Sequence, residues 1–445
     1  MNRIPLRCPP RQLLLAGALM LLPAIATSAT AGSDIPLAGA TIAVANCNDS
    51  GPGSLRSAVA NAASGDTIDM TGLACRKIYL TSGAIEIAQH DLALVGGPPE
   101  VMKVDTERRS SVFRHLGAGT LYIKRLDISR GDSKLDPRGG CVYSAGDIEL
   151  VNSIVRGCRA RNSGRGYEAG GAIYAGGKVK LVYSQVLDSI VHRGYGAAIF
   201  ANDTLTLSHS RICRNQMQNG SGVTFSYGLD ARFITFCDNQ GGGLDVQGGV
   251  IGIADSAVTG NVGGFSYWFG YPSGSMSIVN STISGNTGFA FVMDGKSPKS
   301  IVNSTIAFNE LADDESTNCD VPGAPFFVSG PEPVLLDSTI ISNNACNGVP
   351  GLAIEKRADS QTTVTGANNL LTGGSNMPLP PDTITADPRL AALADNGGPT
   401  MTHALSADSP AIDNGNNQAG LDFDQRGKGH PRVKGLQADI GAYER

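Results

Sequence analysis

Between residues 121 and 220 the chain gathers side chains that suit an anionic ligand. The segments GDSKLDPRG (131–139), RARNSGRGYEA (159–169) and VHRGY (191–195) carry Lys134, Arg138, Arg159, Arg161, Arg165, His192 and Arg193. They alternate with Tyr143, Tyr174 and Phe200. Guanidinium forks match carboxylates and sulfates, and aromatic rings take the apolar faces of sugars. The expected ligand is therefore a polysaccharide or surface glycan with acidic groups, held by Tyr143, Tyr174, Phe200, Arg159 and Arg165. Two reactions use the same residue types. Elimination from a uronate needs a base at C5 (His192, Tyr167 or Tyr195) and cations on the carboxylate (Arg161, Arg165 or Arg193). Hydrolysis needs two carboxylates across the bond, for which Asp245 with Asp188 or Asp294 is the candidate set. Against all of these stands an ordinary solvated basic rim.

What positions these residues is a repeated phrase. It reads LTLSHSRICRN (205–215), IGIADSAVTGN (251–261), MSIVNSTISGN (276–286) and KSIVNSTIAFN (299–309), with degenerate copies on either side. Anchors at 126, 153, 184, 210, 234, 256, 281, 304 and 338 are separated by 27, 31, 26, 24, 22, 25, 23 and 34 residues. Strand-like alternation at that period predicts a β-solenoid, each turn contacting its neighbours.

Because turns stack in register, equivalent positions form columns. Asn215, Asn239, Asn261, Asn286, Asn309 and Asn343 form one, expected at a tight corner because Asn tolerates the left-handed conformation. The sequons at Asn280 and Asn303 fall in the same phrase and are read as turn residues, not glycan sites. A second phrase, GGCVYSA (139–145) through TGFAFVM (287–293), alternates in the strand manner. Val142, Ile173, Ile199, Thr224, Leu244, Ser266 and Ala290 are assigned to the lumen, with Ser144, Ala175, Ala201, Ser226, Val246, Trp268 and Val292. Tyr143, Tyr174, Phe200, Phe225, Asp245, Tyr267 and Phe291 are assigned to the outside. This aromatic row is either covered by another segment or an exposed stripe for stacking.

Composition bounds the rest. Arg3, Arg7 and Arg11 precede the apolar stretch Leu13–Leu22, and Ala29-Thr30-Ala31 offers a cleavage site, so residues 1–31 read as a secretory signal peptide. No later stretch is apolar enough to span a membrane, and a secreted or periplasmic monomer is expected. Cys8 leaves with the signal. Cys213 and Cys237 share a column in adjacent turns, where stacked strands lie ~4.8 Å apart and a disulfide is feasible. Cys47 with Cys75 and Cys319 with Cys346 are the expected staples at the two ends, leaving Cys141 with Cys158; no zinc-type spacing occurs. Without the signal, 32 basic residues face 40 acidic ones, yet residues 121–220 hold 14 basic and 8 acidic, and residues 221–445 hold 11 and 23. The local positive field suits an anionic partner, and no nucleic acid is expected. No metal site or cofactor is indicated: calcium would need an oxygen-rich run, and Asp313-Asp314-Glu315 is read as an exposed loop. Ser54–Ala63 is the one clear helix pattern and should cover the open first turn.

Three stretches resemble known families. NDSGPGSLRSAVANAASGDTIDM (48–70) with IYLTSGAIEIAQHDLALVGG (78–97) is similar to the start of bacterial secreted right-handed parallel β-helix proteins of the pectin-lyase-like fold. DPRLAALADNGGPTMTHALSADSPAIDNG (387–415), DQRG (424–427) and DIGAYE (439–444) resemble the choice-of-anchor Q domain. GGAIY and FCDN are similar to repeats of polymorphic outer-membrane proteins. The resemblance implies an all-β, right-handed parallel β-helix of about a dozen turns, with an N-terminal cap (32–66), the solenoid (67–376) and a C-terminal cap (377–445). Asp413, Asp424, Arg426, Arg432 and Asp439 are expected to form an ion-pair network sealing the last turn. An exported glycan-binding protein is the leading expectation, and a polysaccharide lyase or glycoside hydrolase the alternative.

Overall fold

Each repeat places three short strands around a narrow apolar lumen. One turn consists of Val142–Ser144, Asp147–Val151 and Ile154–Arg156, and the next of Ile173–Ala175, Val179–Val182 and Gln185–Leu187. Corresponding strands pair in parallel and in register, as in Val142 with Ile173, Ile148 with Val179 and Val155 with Val186. A computed structural model describes residues 36–97, 102–134, 136–161, 166–263, 265–267, 274–288, 291–293, 295–311, 326–357 and 360–445. Among these, the first sheet has 13 strands, from Thr41–Ala43 to Val364–Thr365, and the second has 12, from Lys77–Tyr79 to Leu370–Leu371. The third has 11, from Ile85–Ile87 to Glu355–Lys356. The chain is thus an all-β parallel solenoid of about 11 turns. Residues 1–31, expected to be a signal peptide, and Arg165, Trp268, Ala290, Asp294, Asp313, Asp314, Glu315 and Cys319 lie outside the described residues.

The lumen is filled by the inward half of each alternation. Ile148, Leu150, Val155, Ile173, Val179 and Leu181 are buried, with Phe113, Phe236 and Phe326 among the largest fully buried side chains. Each such side chain contributes roughly 1.5–3 kcal/mol of hydrophobic stabilisation. At the N-terminal end, the helix Leu55–Asn61 buries Leu55, Ala58 and Val59, and Ser54 caps it by accepting a hydrogen bond from the Ser57 N–H at 3.2 Å. It packs on Ile85–Ile87 and Thr67–Asp69, so the first turn is not an open edge.

Corners use two residues each, and this revises the asparagine column. Asn215, Asn239, Asn261, Asn286 and Asn309 are buried and not left-handed; the residue before each takes positive φ (Arg214, Asp238, Gly260, Gly285, Phe308). The asparagine amides instead form a ladder inside. Asn239 N–H and Nδ2 donate to Asn261 Oδ1 at 3.0 and 2.9 Å, and Asn261 Nδ2 donates to Phe236 O at 3.0 Å. Asn344, not Asn343, continues it, accepting from Asn309 at 3.0 Å, while Asn343 is exposed with φ 55°. The anchor of that turn is accordingly Thr339, one residue later than expected. At the other corner Asn280 and Asn303 have φ 54° and 47° and are fully buried, as turn residues without room for a glycan.

The structure pairs Cys47 with Cys75, Cys141 with Cys158 and Cys213 with Cys237, at Cα separations of 6.4, 5.5 and 4.6 Å. Cys346 is also disulfide-bonded. The C-terminal segment folds back along the outer face of the second sheet. Thr282 Oγ1 donates to Gln425 Oε1 at 2.6 Å, Ser284 Oγ meets His403 Nε2 at 2.8 Å, and the Ala442 N–H donates to Thr305 Oγ1 at 3.1 Å. Ile440 packs with Ile340 and Leu370. The segment therefore covers the flank of several turns and not the final turn alone. Its charges are internal: Arg426 meets Asp424 at 2.5 Å and lies over the Tyr443 ring at 3.9 Å, and the buried Arg432 donates to Asp439 O.

Candidate functional site

The long early repeats do not form loose loops. Their extra residues pair into a fourth, lateral sheet of Asp132–Ser133, Arg159–Ala160, Ile190–Tyr195 and Glu168–Ala169, with Gln216–Ser221 along Ile190–Tyr195. Alternation organises it: Ala160, Val191 and Met217 are in register and buried beneath. The next residues in each strand, Arg161, His192 and Gln218, form one outward row, His192 and Gln218 being exposed. His192 Nδ1 meets Gln218 Oε1 at 2.7 Å. The backbone is braced from below, because the buried Glu168 carboxylate accepts the His192 and Arg193 N–H groups at 2.7 and 3.2 Å.

Several of the basic residues are already paired. Arg161 Nε donates to the buried Asp132 at 3.0 Å, and Arg138 holds Asp136 through two bonds of 2.8 and 3.0 Å. Arg130, Arg156 and Arg214 hold Asp105, Asp127 and Asp188. Arg193 is different: its guanidinium lies 5.5 Å over the ring of Tyr167, which is 61% exposed, and among the described residues it meets no carboxylate. Tyr167 in turn packs on Tyr195, with ring centroids 5.8 Å apart. Lys134 is exposed beside the same sheet.

The aromatic row is a ladder whose faces are occupied. Tyr143, Tyr174, Phe200 and Phe225 stack with centroids 5.4, 5.1 and 4.7 Å apart and planes within 4°, 8° and 3°. Arg138 covers the Tyr143 and Tyr174 rings and Arg114 also covers Tyr143, while Tyr195 tilts against Phe225 at 5.3 Å. Tyr143 and Phe225 are buried, Tyr174 and Phe200 half-buried. A ladder of this kind presents edges outward, so a sugar has no ring face to stack on within it.

Beyond Phe225 the row carries Asp245, in register with Phe225 and Ser266. Asp245 is 2% exposed, and burial pushes its carboxyl up to about 6, partly offset by the bond that Gln247 Nε2 donates at 2.6 Å. Here the expected register is off by one. Tyr267 pairs with Val246 and Phe291 with Phe326, so in register Ser266 and Val292 follow Asp245. The shift falls between Leu244–Val246, which keeps the expected register, and Phe265–Tyr267, which does not, and a one-residue slip exchanges the two faces. Asp188, the proposed partner of Asp245, stands at a corner and pairs with Arg214 at 2.7 Å. Among the described residues no second carboxylate is brought to Asp245, and Asp294 lies outside them.

Sequence reasoning missed Arg114 and Arg108. Arg114 sits in register with Tyr143, one turn before the first copy of the second phrase. A cleft of about 810 Å³ lies elsewhere, between the second sheet and the hairpin Leu390–Ala394 with Thr402–Leu405. Its His403 is bound at both ring nitrogens, to Ser284 Oγ and to Ala391 O at 2.7 Å, and burial pushes its pKa down, so it is a neutral strut. Among the described residues no group of three or more His, Cys, Asp or Glu side chains is placed to hold a metal ion, and no helix is long and apolar enough to cross a membrane.

No family model and no curated protein matches the chain. Among solved structures, that of the pectate lyase Pel9A aligns over 91% of this chain and 97% of its own, with 14% identity and a TM-score of 0.40.

Proposed function

We propose that this chain is an exported solenoid that binds an acidic polysaccharide or surface glycan across the outward face of its lateral sheet, without cleaving it. The observation that carries this reading is the Arg193–Tyr167 pair, an exposed ring and a cation without a carboxylate, on a sheet braced by Glu168. The His192–Gln218 row beside it supplies hydrogen bonds to hydroxyls. Cleavage is disfavoured on chemical grounds. The Arg161 charge is compensated by Asp132, so it is a poor neutraliser for a uronate. Asp245 is buried, and among the described residues no carboxylate stands opposite it across an open groove.

Polygalacturonate, alginate and chondroitin sulfate, each titrated into the purified protein, test the reading. Saturable binding that weakens with salt is expected, without new unsaturated-uronate absorbance. Tyr167→Ala and Arg193→Ala should each weaken it by roughly tenfold, the loss of a desolvated cation–π contact. Absence of binding to all three polymers, or release of unsaturated products, would overturn the proposal.

A further inference from the structure

The cleft beneath the C-terminal hairpin has a shape that stability does not require. Its solenoid wall is the corner that follows the second sheet, where Asp238, Gly260, Gly285 and Phe308 stand on successive turns with φ between 53° and 66°. Three turns at ~4.8 Å each set Asp238 and Phe308 ~14 Å apart, with the two glycines between them. The corner is therefore a slot with a carboxylate at one end and an aromatic ring at the other. Phe308 is 41% exposed, although left-handed backbone is strained for a bulky side chain. On the next turn the same corner carries Asn343, which suits that conformation. The opposite wall is the hairpin, from which Leu393, Asp395 and Met401 line the cleft. That wall is tied down: Gln425 Nε2 donates to Thr400 Oγ1 and to Met401 O, both at 3.0 Å, and Asn396 Nδ2 donates to Thr402 O at 2.9 Å. The slot is thus preformed.

Its polar groups select the ligand. Arg211, in register with Thr235 on the second sheet, also lines the cleft. Arg211, Asp238 and Asp395 are exposed, and among the described residues none of them forms an ion pair. Two carboxylates oppose an anion and the guanidinium opposes a cation, whereas hydroxyl groups both donate and accept and so satisfy all three. An exposed ring at the end of the slot takes the apolar face of a pyranose. The volume of about 810 Å³ falls within the range of small-ligand sites, roughly 300–1,000 Å³. We infer that this cleft binds a short, uncharged oligosaccharide, stacked on Phe308 and extending toward Asp238, with Arg211 and Asp395 meeting its hydroxyls. The site is separate from the lateral sheet, whose proposed ligand is anionic, and neither reading depends on the other.

Cellotriose, maltotriose, mannotriose and galactotriose, each titrated into the native protein by calorimetry, test the inference. At least one should bind saturably with little dependence on salt, unlike polygalacturonate. Neither trigalacturonate nor dodecanoate, an apolar anion, should displace it. Gly285 is exposed, and a Cβ there would meet only Gly260 N within 4 Å, at 3.9 Å. Gly285→Asn therefore suits the corner, fills the slot and should weaken binding by roughly tenfold or more. Phe308→Asn, equally suited to its backbone, removes the ring and should cost roughly tenfold, as should Arg211→Ala through its lost hydrogen bonds. Binding unchanged in both Gly285→Asn and Phe308→Asn, or displacement by either competitor, would overturn the site. A protein that binds polygalacturonate but none of the four trisaccharides would refute this site and leave the lateral-sheet reading standing. The converse result would uphold the cleft and refute the lateral sheet.

Discussion

Asp245→Asn should stabilise the protein near neutral pH and not in acid. Burial holds the Asp245 carboxyl at about 6 against an ordinary value of 3.8. A difference of about two units corresponds to about 3 kcal/mol. The sign follows from proton uptake. Below about pH 3.8 both folded and unfolded chains hold the proton and the carboxyl carries no penalty. As pH rises, the unfolded chain releases its proton first, so stability falls until the folded carboxyl also ionises above about pH 6. An amide at this position accepts the same bond from Gln247 and does not titrate. The variant-minus-native unfolding free energy, from urea titrations followed by circular dichroism, should therefore rise by about 3 kcal/mol between roughly pH 4 and pH 7.5. Any constant offset from packing the amide leaves this slope untouched. A flat difference, or one that grows toward acid, would refute the argument that the carboxylate is desolvated at the end of the aromatic ladder.

The asparagine ladder gives a second test. Asn261→Ala removes two donated and two accepted bonds in the interior and should lower the unfolding free energy by roughly 3–5 kcal/mol, whereas Asn343→Gly, outside the ladder, should cost under about 0.5 kcal/mol. Equal effects in urea unfolding would show the ladder assignment to be wrong. The C-terminal segment gives a third. Burial favours neutral His403, so its contribution is present above its ordinary value of 6.5 and is lost as pH falls below it. Limited proteolysis within residues 387–445 should accelerate on acidification from about pH 7 to about pH 5 in the native protein and much less in His403→Gln.

The fold was legible because its cause is periodic. Lumen residues such as Ile148, Val179 and Leu205 recur at the turn length, and alternation alone sends them inward. What escaped was whatever a single inserted residue decides. The anchor and asparagine of the turn at 338–344 lie one position later than the phrase suggests, and a one-residue shift between Leu244–Val246 and Phe265–Tyr267 takes Tyr267 and Phe291 out of the expected register. Alternation shows which residues share a face but not which way a ring is turned. Tyr143, Tyr174 and Phe200 were correctly placed outside, yet their flat stacking along the axis withdraws the ring faces that made them candidates.

Charge follows the same periodic rule. Arg130 with Asp105, Arg156 with Asp127, Arg161 with Asp132 and Arg214 with Asp188 are separated by 25, 29, 29 and 26 residues, one turn each. These are cross-turn pairs between stacked positions, and only Arg130 draws its carboxylate from outside residues 121–220, so most of the local excess of basic residues is left after pairing. Among the described residues, the cations on or beside the lateral sheet without a salt bridge are Lys134, Arg159 and Arg193, with Arg108 at its edge. A solvated basic rim would distribute such leftovers without pattern. Here Arg193 lies on the exposed ring of Tyr167, and Arg108 and Arg159 adjoin the first strand of that sheet, with Arg161 and His192 in one row between. The long repeats are thus where the solenoid builds an extra sheet, and the cations without a carboxylate there are what the proposed binding of an anionic glycan rests on.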